Sequence, residues 1–272
     1  MTWPMLSSVH NPRVKEAVRL RDRRHRAASG RTVIDGAREL LRALEAKTPL
    51  VEAFVCHKLV RRDDTRRAIE LLAASCPNIW SVTAAVYERL AYGGRDDGMV
   101  AIAEPHRAEL IAIQLSSLPL VAVLEGVEKP GNVGAVLRSA DAAGLSALIV
   151  ADGGTDLYNP NTIRASLGTV FTVPTFAATS AEAFDWLRAQ GLTIYAARPG
   201  AGRVYSDVDL TGPSALVLGS EAEGLSSQWQ HEAVVAVEIP MLGAADSLNV
   251  SAAATVLFYE ALRQRRASRP SA

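Results

Sequence analysis

The chain has 272 residues and no net charge, with 49% hydrophobic and 21% charged residues. This length is sufficient for two domains with a sizeable core, and the composition is that of an ordinary globular protein. The longest apolar stretch, from Leu110 to Leu124, is interrupted by polar residues and a proline, so no segment reaches the roughly 20 residues of a transmembrane helix. The first residues lack the basic start and apolar core of a signal peptide. We therefore expect a cytoplasmic protein without a membrane segment.

The first hundred residues alternate short apolar runs with helical spacings, which predicts a small α/β domain over residues 1–103. After a loose lead-in, the predicted elements are a short helix from Pro12, a strand at 32–34, a helix at 37–46, a strand at 51–56, a helix at 65–74, a strand at 79–82, a helix at 84–90 and a strand at 99–103. Residues 104–119 are interpreted as a linker containing one or two helical turns.

Positive charge is concentrated in this first part of the chain. Residues 1–110 carry 19 Lys and Arg against 14 Asp and Glu, whereas residues 111–272 carry 10 against 15. Eight of the basic residues lie between Arg13 and Arg31, where the first helix is predicted to end in the run Arg21 to Arg26. Such a segment suits a polyanion such as nucleic acid, and it is equally compatible with a solvated helix face.

The second part of the chain alternates strand and helix patterns more regularly. The predicted strands cover residues 120–124, 147–151, 192–197, 215–218 and 234–239, and the predicted helices cover residues 133–143, 161–167, 180–190 and 250–266. Strands that alternate with helices indicate a mostly parallel sheet covered on both faces. The fold class is therefore α/β.

Three polar, glycine-bearing segments each follow an apolar run that is predicted to be a strand. They are Asn132 to Arg138, Gly219 to Gly224, and Pro240 with Ser247 to Ser251. In an open α/β sheet, ligands bind beyond the carboxyl ends of the strands. The three segments are therefore predicted to form one pocket.

Several common chemistries lack their sequence signatures. The spacing Gly131-x-x-Gly134 is not a GxGxxG dinucleotide fingerprint, and Gly219 to Gly224 is not followed by the lysine of a phosphate loop. There is no GxSxG nucleophile elbow. The two cysteines lie 20 positions apart without a CxxC pair and the five histidines are scattered, so neither a disulfide nor a metal site is expected.

Taken together, the motifs of residues 120–266 resemble the SpoU (TrmH-like) group of the SPOUT superfamily, which are RNA 2′-O-ribose methyltransferases that use S-adenosylmethionine. The resemblance rests on Leu124-Glu125-Gly126-Val127 through Asn132-x-Gly-Ala-x-x-Arg138, on Arg164-Ala165-Ser166-Leu167-Gly168, on Leu218-Gly219-Ser220-Glu221-Ala222-Glu223-Gly224-Leu225, and on Ile239-Pro240-Met241 with Ser247-Leu248-Asn249-Val250-Ser251-Ala252.

The first domain extends this resemblance. The segment Asn11-Pro12-x-Val14-Lys15, the basic run, and Val33 to Leu40 are similar to the family's substrate-binding domain, which has an L30e-like fold; Asp35 replaces the family's usual glutamate. The resemblance thus implies a substrate-binding domain (1–103), a linker (104–119) and a catalytic domain (120–272). It also implies a C-terminal trefoil knot and a homodimer, which topology rules alone would not predict.

The resemblance assigns roles to individual residues. The residues implied at the catalytic site are Arg138, Asn132, Glu221, Ser247 and Asn249. The residues implied to bind the cofactor are Gly219, Ile239, Met241, Leu248, Leu218 and Ala197. The residues implied to bind RNA are Arg164, Arg19, Arg23, Arg24 and Arg26.

We expect Arg138 to hold a phosphate beside the target ribose and to stabilise the alkoxide, because a guanidinium is a poor base. Asn132 is expected to orient Arg138 or the ribose, and Glu221 to anchor an arginine or accept the hydroxyl proton. As alternatives, Asn132 and Asn249 are placed to cap the helices that follow them. Gly219 is expected to let the main chain approach the cofactor closely.

The RNA target is left open between 23S ribosomal RNA, which the separate L30e-like domain favours by analogy, and transfer RNA. An antibiotic-resistance methyltransferase is compatible with the same motifs. From a different functional class, a non-catalytic RNA-binding or ribosome-assembly factor of the same fold is the alternative.

Overall fold

The computed structural model describes residues 3–92, 94, 96–105 and 109–268. They form two compact units, one within residues 1–106 and 158–172, and the other within residues 107–157 and 173–272. The predicted linker is therefore divided between the units, with residues 106–108 lying outside the described part. Leu110, Ile113 and Leu115 of that segment pack against the core of the second unit.

The first unit is built on a mixed five-stranded sheet of order β1-β4-β3-β5-β2, in which β5 runs antiparallel to both of its neighbours. Its elements are β1 (Met5–Leu6), α1 (Pro12–Arg19), α2 (Arg23–Ser29), β2 (Thr32–Asp35), α3 (Ala37–Glu45), β3 (Leu50–Val55), α4 (Asp63–Ser75), β4 (Ile79–Val82), α5 (Ala84–Leu90), β5 (Met99–Ala103) and, from the later segment, α7 (Pro160–Ala165).

The basic run belongs to a second helix instead of ending the first. Asn11 caps α1, and the side chain of Asp22 accepts a hydrogen bond from the backbone N–H of His25 at the start of α2. An aspartate in this position satisfies an otherwise unpaired N–H of the first turn. The chain therefore turns between Leu20 and Asp22, which changes the directions in which the following arginines point.

The second unit is built on a six-stranded sheet of order β11-β9-β10-β6-β7-β8, with every pairing parallel. Its elements are β6 (Leu120–Glu125), α6 (Pro130–Ala143), β7 (Ala147–Ala151), β8 (Thr175–Ala178), α8 (Ser180–Ala189), β9 (Thr193–Ala197), β10 (Ser214–Leu218), β11 (Val234–Val237) and α9 (Val250–Ala267). The predicted α/β fold with a mostly parallel sheet is confirmed.

The core of the second unit lies along the central strands. Alternate residues of β6, β7, β9 and β10 are buried against Phe184 and Leu187 of α8 and against Trp229. Helices α6 and α9 pack on each other, and a hydrogen bond of 2.7 Å joins the hydroxyls of Ser139 and Thr255. Because β6 is buried along its whole length, it reads in the sequence as a continuous apolar run.

Glu125, the last residue of β6, is a buried carboxylate held by four donors. The backbone N–H and the hydroxyl of Ser226 donate to it at 2.7 and 2.8 Å, the indole N–H of Trp229 donates at 2.9 Å, and the hydroxyl of Ser180 donates as well. Saturation with hydrogen bonds is the usual condition for burying a charged group. Glu125 thereby ties the segment after β10 to the end of β6.

Sequence patterns missed β1 and β8, and they gave no sign that residues 158–172 pack with the first unit. Both strands lie at sheet edges, and β8 buries little besides Phe176, so neither carries a long apolar run. Residues 158–172 were expected in the catalytic domain but pack with the first unit. There the hydroxyl of Thr32 donates to the carbonyl of Tyr158 at 2.6 Å, and Gly168 lies so close to Glu39 that a Cβ would sit 2.8 Å from its Cα.

The C-terminal part of α9 is fastened to distant segments by Arg265. Its guanidinium donates to the carbonyls of Leu118 and Pro119 at 3.0 Å each, and to those of Leu210 and Gly212 at 2.9 and 2.6 Å. These carbonyls precede strands β6 and β10. The side chain of Arg265 therefore joins the last helix to the amino-terminal ends of two central strands.

Candidate functional site

A cavity of about 410 Å³ lies at the carboxyl ends of β9, β10 and β11 in the second unit. Its walls are residues 197–200 after β9, residues 218–221 with Gly224 after β10, residues 238–241 after β11, and residues 246–248, 250 and 253 at the start of α9. The position agrees with the rule that parallel α/β sheets bind ligands at this edge. The volume is within the range of small-molecule sites.

All six residues predicted to bind a cofactor line this cavity. They are Ala197, Leu218, Gly219, Ile239, Met241 and Leu248. Five of them have apolar side chains, and Leu248 remains 37% exposed. The structure thus brings together residues that lie up to about fifty positions apart in the chain.

Gly219 is required by a tight turn. A Cβ built on Gly219 would lie 2.2 Å from the carbonyl carbon and oxygen of Gly224 and 2.7 Å from the backbone nitrogen of Leu225. The turn is closed by a hydrogen bond of 3.0 Å from the N–H of Gly224 to the carbonyl of Ser220, with Gly224 at a φ of +67°. Glycine is therefore needed at position 219 because the backbone of residues 224 and 225 passes close to it. The predicted close approach of residue 219 to a cofactor stays a prediction.

Glu221 lies at the centre of a polar network that joins the three predicted segments. The side-chain amides of Asn132 and Asn249 both donate to its carboxylate, the first at 3.4 Å, and the ammonium of Lys129 lies 3.3 Å away. The side-chain amide of Asn249 also donates to the side-chain oxygen Oδ1 of Asn132 at 3.4 Å. Glu221 therefore anchors a lysine and two asparagines, and not the arginine that was expected.

The same network lowers the pKa of Glu221 below its ordinary value. The hydrogen bond from Lys129 is the largest cause, and the charge of Lys129 and donors from Asn249 and the backbone of Val250 act in the same direction. These groups stabilise the ionised form. At neutral pH Glu221 is thus a carboxylate that holds neighbouring side chains, and it is a weaker proton acceptor than an ordinary glutamate.

A second cavity of about 330 Å³ adjoins the first. Its walls are residues 126–129, Asn132, Asp152, residues 220–223 and Val250. Ser220, Glu221 and Val250 line both cavities, so the network around Glu221 forms the partition between them. The arrangement offers two adjacent binding spaces that share one wall, and each has both polar and apolar lining residues.

Only one of the two asparagines caps a helix. The side-chain oxygen of Asn249 accepts from the backbone N–H of Ser251 at 3.0 Å, while its amide serves the network around Glu221. Asn132 lies within the first turn of α6, which begins at Pro130 after the capping residue Lys129. The prediction that Asn132 caps a helix is therefore wrong, and its amide is directed to Glu221 instead.

Arg138 lines neither cavity. It is exposed on α6, six positions after Asn132, which is about 9 Å along the axis and about 120° around it. Among the described residues, the side chain of Asn132 bonds to Glu221 and Asn249 and not to Arg138, so orientation of the ribose is the role that stays a prediction for Asn132. Ser247, by contrast, lies in the wall of the first cavity as expected.

Arg19, Arg23 and Arg24 are exposed on α1 and α2 of the first unit. Arg19 also lines an open groove whose walls include the basic side chains of Lys15 and Arg89 and the acidic side chain of Glu16. The exposed guanidinium groups have the positive charge and the access that a phosphate backbone requires.

Arg26 contradicts the prediction that it binds RNA. It is only 3% exposed, and its guanidinium donates at 2.8 Å to the carbonyls of Leu20 and Arg21. These bonds hold the turn between α1 and α2. Arg164, the other predicted RNA contact, is exposed on α7 of the first unit and does not line the cavity.

Sequence reasoning missed several polar residues of the site, among them Lys129 and Arg198. Lys129 precedes the first segment by three residues, and Arg198 directly follows β9. The same strand-end rule that selected Ala197 would have found Arg198 one position later.

Neither a metal site nor a membrane-spanning helix is found in the described part of the chain. No cluster of three or more His, Cys, Asp or Glu in residues 3–92, 94, 96–105 and 109–268 is arranged to hold a metal ion. Within the same ranges, no helix has the length and apolar character needed to cross a bilayer.

Two family models match this chain over most of its length. Residues 119–259 match the SpoU rRNA Methylase family, and residues 11–101 match the MRM3-like substrate binding domain. A curated relative, the 23S rRNA (uridine(2479)-2′-O)-methyltransferase of Streptomyces viridochromogenes, is 38% identical over 178 residues. That alignment spans 63% of this chain and 62% of the relative, less than two thirds of its length.

Two solved structures resemble the whole chain. A crystal structure of an RNA 2′-O ribose methyltransferase is 43% identical and covers 96% of this chain and 99% of its own, with a TM-score of 0.83. The SpoU methyltransferase AviRb of Streptomyces viridochromogenes, solved in complex with the cofactor AdoMet, is 28% identical and covers 96% of this chain and 100% of its own, with a TM-score of 0.85.

Proposed function

Because this chain belongs to the SpoU rRNA Methylase family, we propose that it transfers a methyl group from S-adenosylmethionine to a ribose 2′-hydroxyl of 23S ribosomal RNA. The observation that carries the proposal is the polar network around Glu221, which lies in the wall shared by two adjacent cavities. A transferase needs two such adjacent spaces, one for the donor and one for the acceptor.

The residues of the first cavity fit S-adenosylmethionine. Leu218, Ile239, Met241 and Leu248 offer apolar surface for the adenine, and the acidic side chains in the wall suit the positive charges of the cofactor. When bound, S-adenosylmethionine supplies a methyl group already activated on a sulfonium. The chain has to provide alignment and a path for one proton.

The network would align the acceptor. Glu221 holds Asn132 and Asn249 in fixed orientations, and Ser247 adds a hydroxyl to the cavity wall. These hydrogen-bonding groups can fix the ribose and its 2′-hydroxyl at the partition between the cavities. Because its pKa is lowered, Glu221 serves as the electrostatic anchor of this arrangement rather than as the base.

Arg138 would act from outside the cofactor cavity. Its exposed guanidinium is suited to hold an RNA phosphate beside the target ribose and to stabilise negative charge on the 2′-oxygen. Replacement of Arg138 by alanine should abolish most methyl transfer while leaving binding of S-adenosylhomocysteine unchanged. A variant with wild-type transfer would remove Arg138 from the mechanism.

The first unit would recognise the RNA. Arg19, Arg23 and Arg24, together with Lys15 and Arg89 of the groove, present positive charge on one part of that unit. Reversal of charge at Arg23 and Arg24 should weaken RNA binding and reduce its dependence on salt by about one ion per lost phosphate contact. Unchanged RNA binding would mean that these residues only form a solvated helix face. Arg164 is proposed as a further RNA contact.

Other proposals rest on resemblance to the family. They are a homodimer, a trefoil knot in the C-terminal part, a cytoplasmic location, and the functional division into a substrate-binding domain (1–103), a linker (104–119) and a catalytic domain (120–272). Light scattering of the purified protein tests the dimer.

The decisive experiment for the function is methyl transfer to defined RNA. Purified protein and tritiated S-adenosylmethionine are incubated with 23S ribosomal RNA or with transfer RNA from a strain that lacks the gene, and the modified ribose is then mapped. We expect incorporation into 23S RNA at one 2′-hydroxyl. Incorporation into transfer RNA would correct the substrate, and binding of RNA without incorporation would favour a non-catalytic factor.

A further inference from the structure

Arg198 lines the first cavity, and its guanidinium is incompletely satisfied by hydrogen bonds. Its backbone is fixed at the cavity by a hydrogen bond of 2.8 Å from its N–H to the carbonyl of Val237. The Nε atom is buried and has no hydrogen-bond partner, and a terminal nitrogen makes one long contact of 3.4 Å to the carbonyl of Ser226. Arg198 forms no ion pair with any described residue.

A buried guanidinium nitrogen without an acceptor is unfavourable, and such a group in a binding cavity indicates that a ligand supplies the acceptor. The most favourable acceptor is a carboxylate or phosphate, which an arginine fork binds through two parallel hydrogen bonds. An anion located inside the cavity is therefore the acceptor that best suits Arg198.

The charges of the cavity wall restrict which anion can enter. Glu221, Glu238 and Asp246 are acidic, whereas Arg198 is the one Lys or Arg among the described residues that line the cavity. Three acidic groups disfavour a polyanionic segment of RNA but suit a small ligand that combines two positive charges with one carboxylate. The sulfonium, ammonium and carboxylate of S-adenosylmethionine match this distribution.

On this basis we propose that Arg198 binds the carboxylate of the amino-acid portion of S-adenosylmethionine and of its product S-adenosylhomocysteine. The inference rests on the proposed function, since it identifies the group that Arg198 would bind in the same cavity. Arg198 would thus recognise the amino-acid end of the cofactor, and the apolar residues of the cavity would bind the adenine end.

Calorimetry with two probes tests the proposal. S-adenosylhomocysteine carries the carboxylate, whereas 5′-methylthioadenosine keeps the nucleoside and the sulfur but lacks the amino-acid portion. Replacement of Arg198 by methionine should weaken S-adenosylhomocysteine about 10- to 100-fold, the range of a lost charged hydrogen bond, and should change methylthioadenosine less than about 3-fold. Arg198→Lys, which retains the charge without the fork, should weaken S-adenosylhomocysteine to an intermediate degree.

Arg203→Met is the matched control, because Arg203 is exposed in the same segment and does not line the cavity. It should leave both affinities unchanged, and chemical denaturation should show equal stability for the three variants. An Arg198→Met protein that binds both probes as the wild type does, or that loses both equally, would overturn the inference alone. Failure of the wild-type protein to bind S-adenosylhomocysteine or S-adenosylmethionine would overturn the proposed function and the inference with it.

Discussion

Replacement of Gly219 by alanine tests whether the turn after β10 determines the geometry of the site. The added Cβ would lie 2.2 Å from the carbonyl group of Gly224, whereas ordinary contacts begin near 3.4 Å, so the turn has to move by about 1.2 Å. Crowding of this kind costs about 1–3 kcal/mol of stability. Because Glu221 lies in the turn, a displacement of about 1 Å should also reduce methyl transfer about 100-fold.

The assays are urea denaturation, calorimetry with S-adenosylhomocysteine, and tritiated methyl transfer to 23S ribosomal RNA. Gly212→Ala is the matched control, since Gly212 belongs to the same unit, has no positive φ, and a Cβ there would meet nothing within 4 Å. We expect the control to keep its stability and activity to within about 0.5 kcal/mol and a factor of two. A Gly219→Ala protein with wild-type stability and transfer would show that the turn accommodates a side chain and that our account of its closure is incorrect.

Three further changes separate structural roles from functional ones. Glu125→Gln should lower the free energy of unfolding by about 2–3 kcal/mol, because in either orientation the new amide NH2 would face an N–H group that can only donate, that of Ser226 or that of Trp229; equal stability in urea would argue against this account. When the titration of Glu221 is followed by NMR, its pKa should lie below the ordinary value of 4.5, and it should rise towards that value in the Lys129→Met variant. Because the pKa of Glu221 is lower in the folded than in the unfolded protein, the stability that this network contributes is present above about pH 4.5 and is lost as the pH falls through the folded pKa. A Lys129→Met protein in which Glu221 titrates with an unchanged midpoint would refute the role of Lys129. Arg26→Met should destabilise the first unit by about 1–3 kcal/mol without changing the salt dependence of RNA binding. A weaker dependence of RNA affinity on salt in this variant would instead support Arg26 as an RNA contact.

The position of the site could be predicted because apolar runs identify buried strands and parallel strands place their carboxyl ends at one edge. The network could not be predicted in the same way. Its hydrogen bonds join Glu221 to Asn132 and Asn249, which lie 89 and 28 positions away, and only the packed sheet brings these residues together.

The errors in the first unit have a local origin. Seen as a string of basic residues, Arg23, Arg24 and Arg26 look equivalent, but the turn before α2 directs only Arg26 inward. Asp22 is the signal that could have revealed the new helix, since an aspartate is a favourable cap. The placement of residues 158–172 carries no comparable signal, because contact with the first unit depends on tertiary packing.

The fastening of α9 by Arg265 has a consequence for the order of events during synthesis. Its bonds to Leu118 and Pro119 span 147 and 146 positions, so the bonds at the start of β6 are complete only after a residue made much later has joined them. Contacts of such long sequence separation slow folding, because a large loop has to close first. While the ribosome is still translating, the second unit should therefore expose unpaired strands to aggregation and to chaperones, and it should acquire native protection against proteolysis only after α9 has emerged.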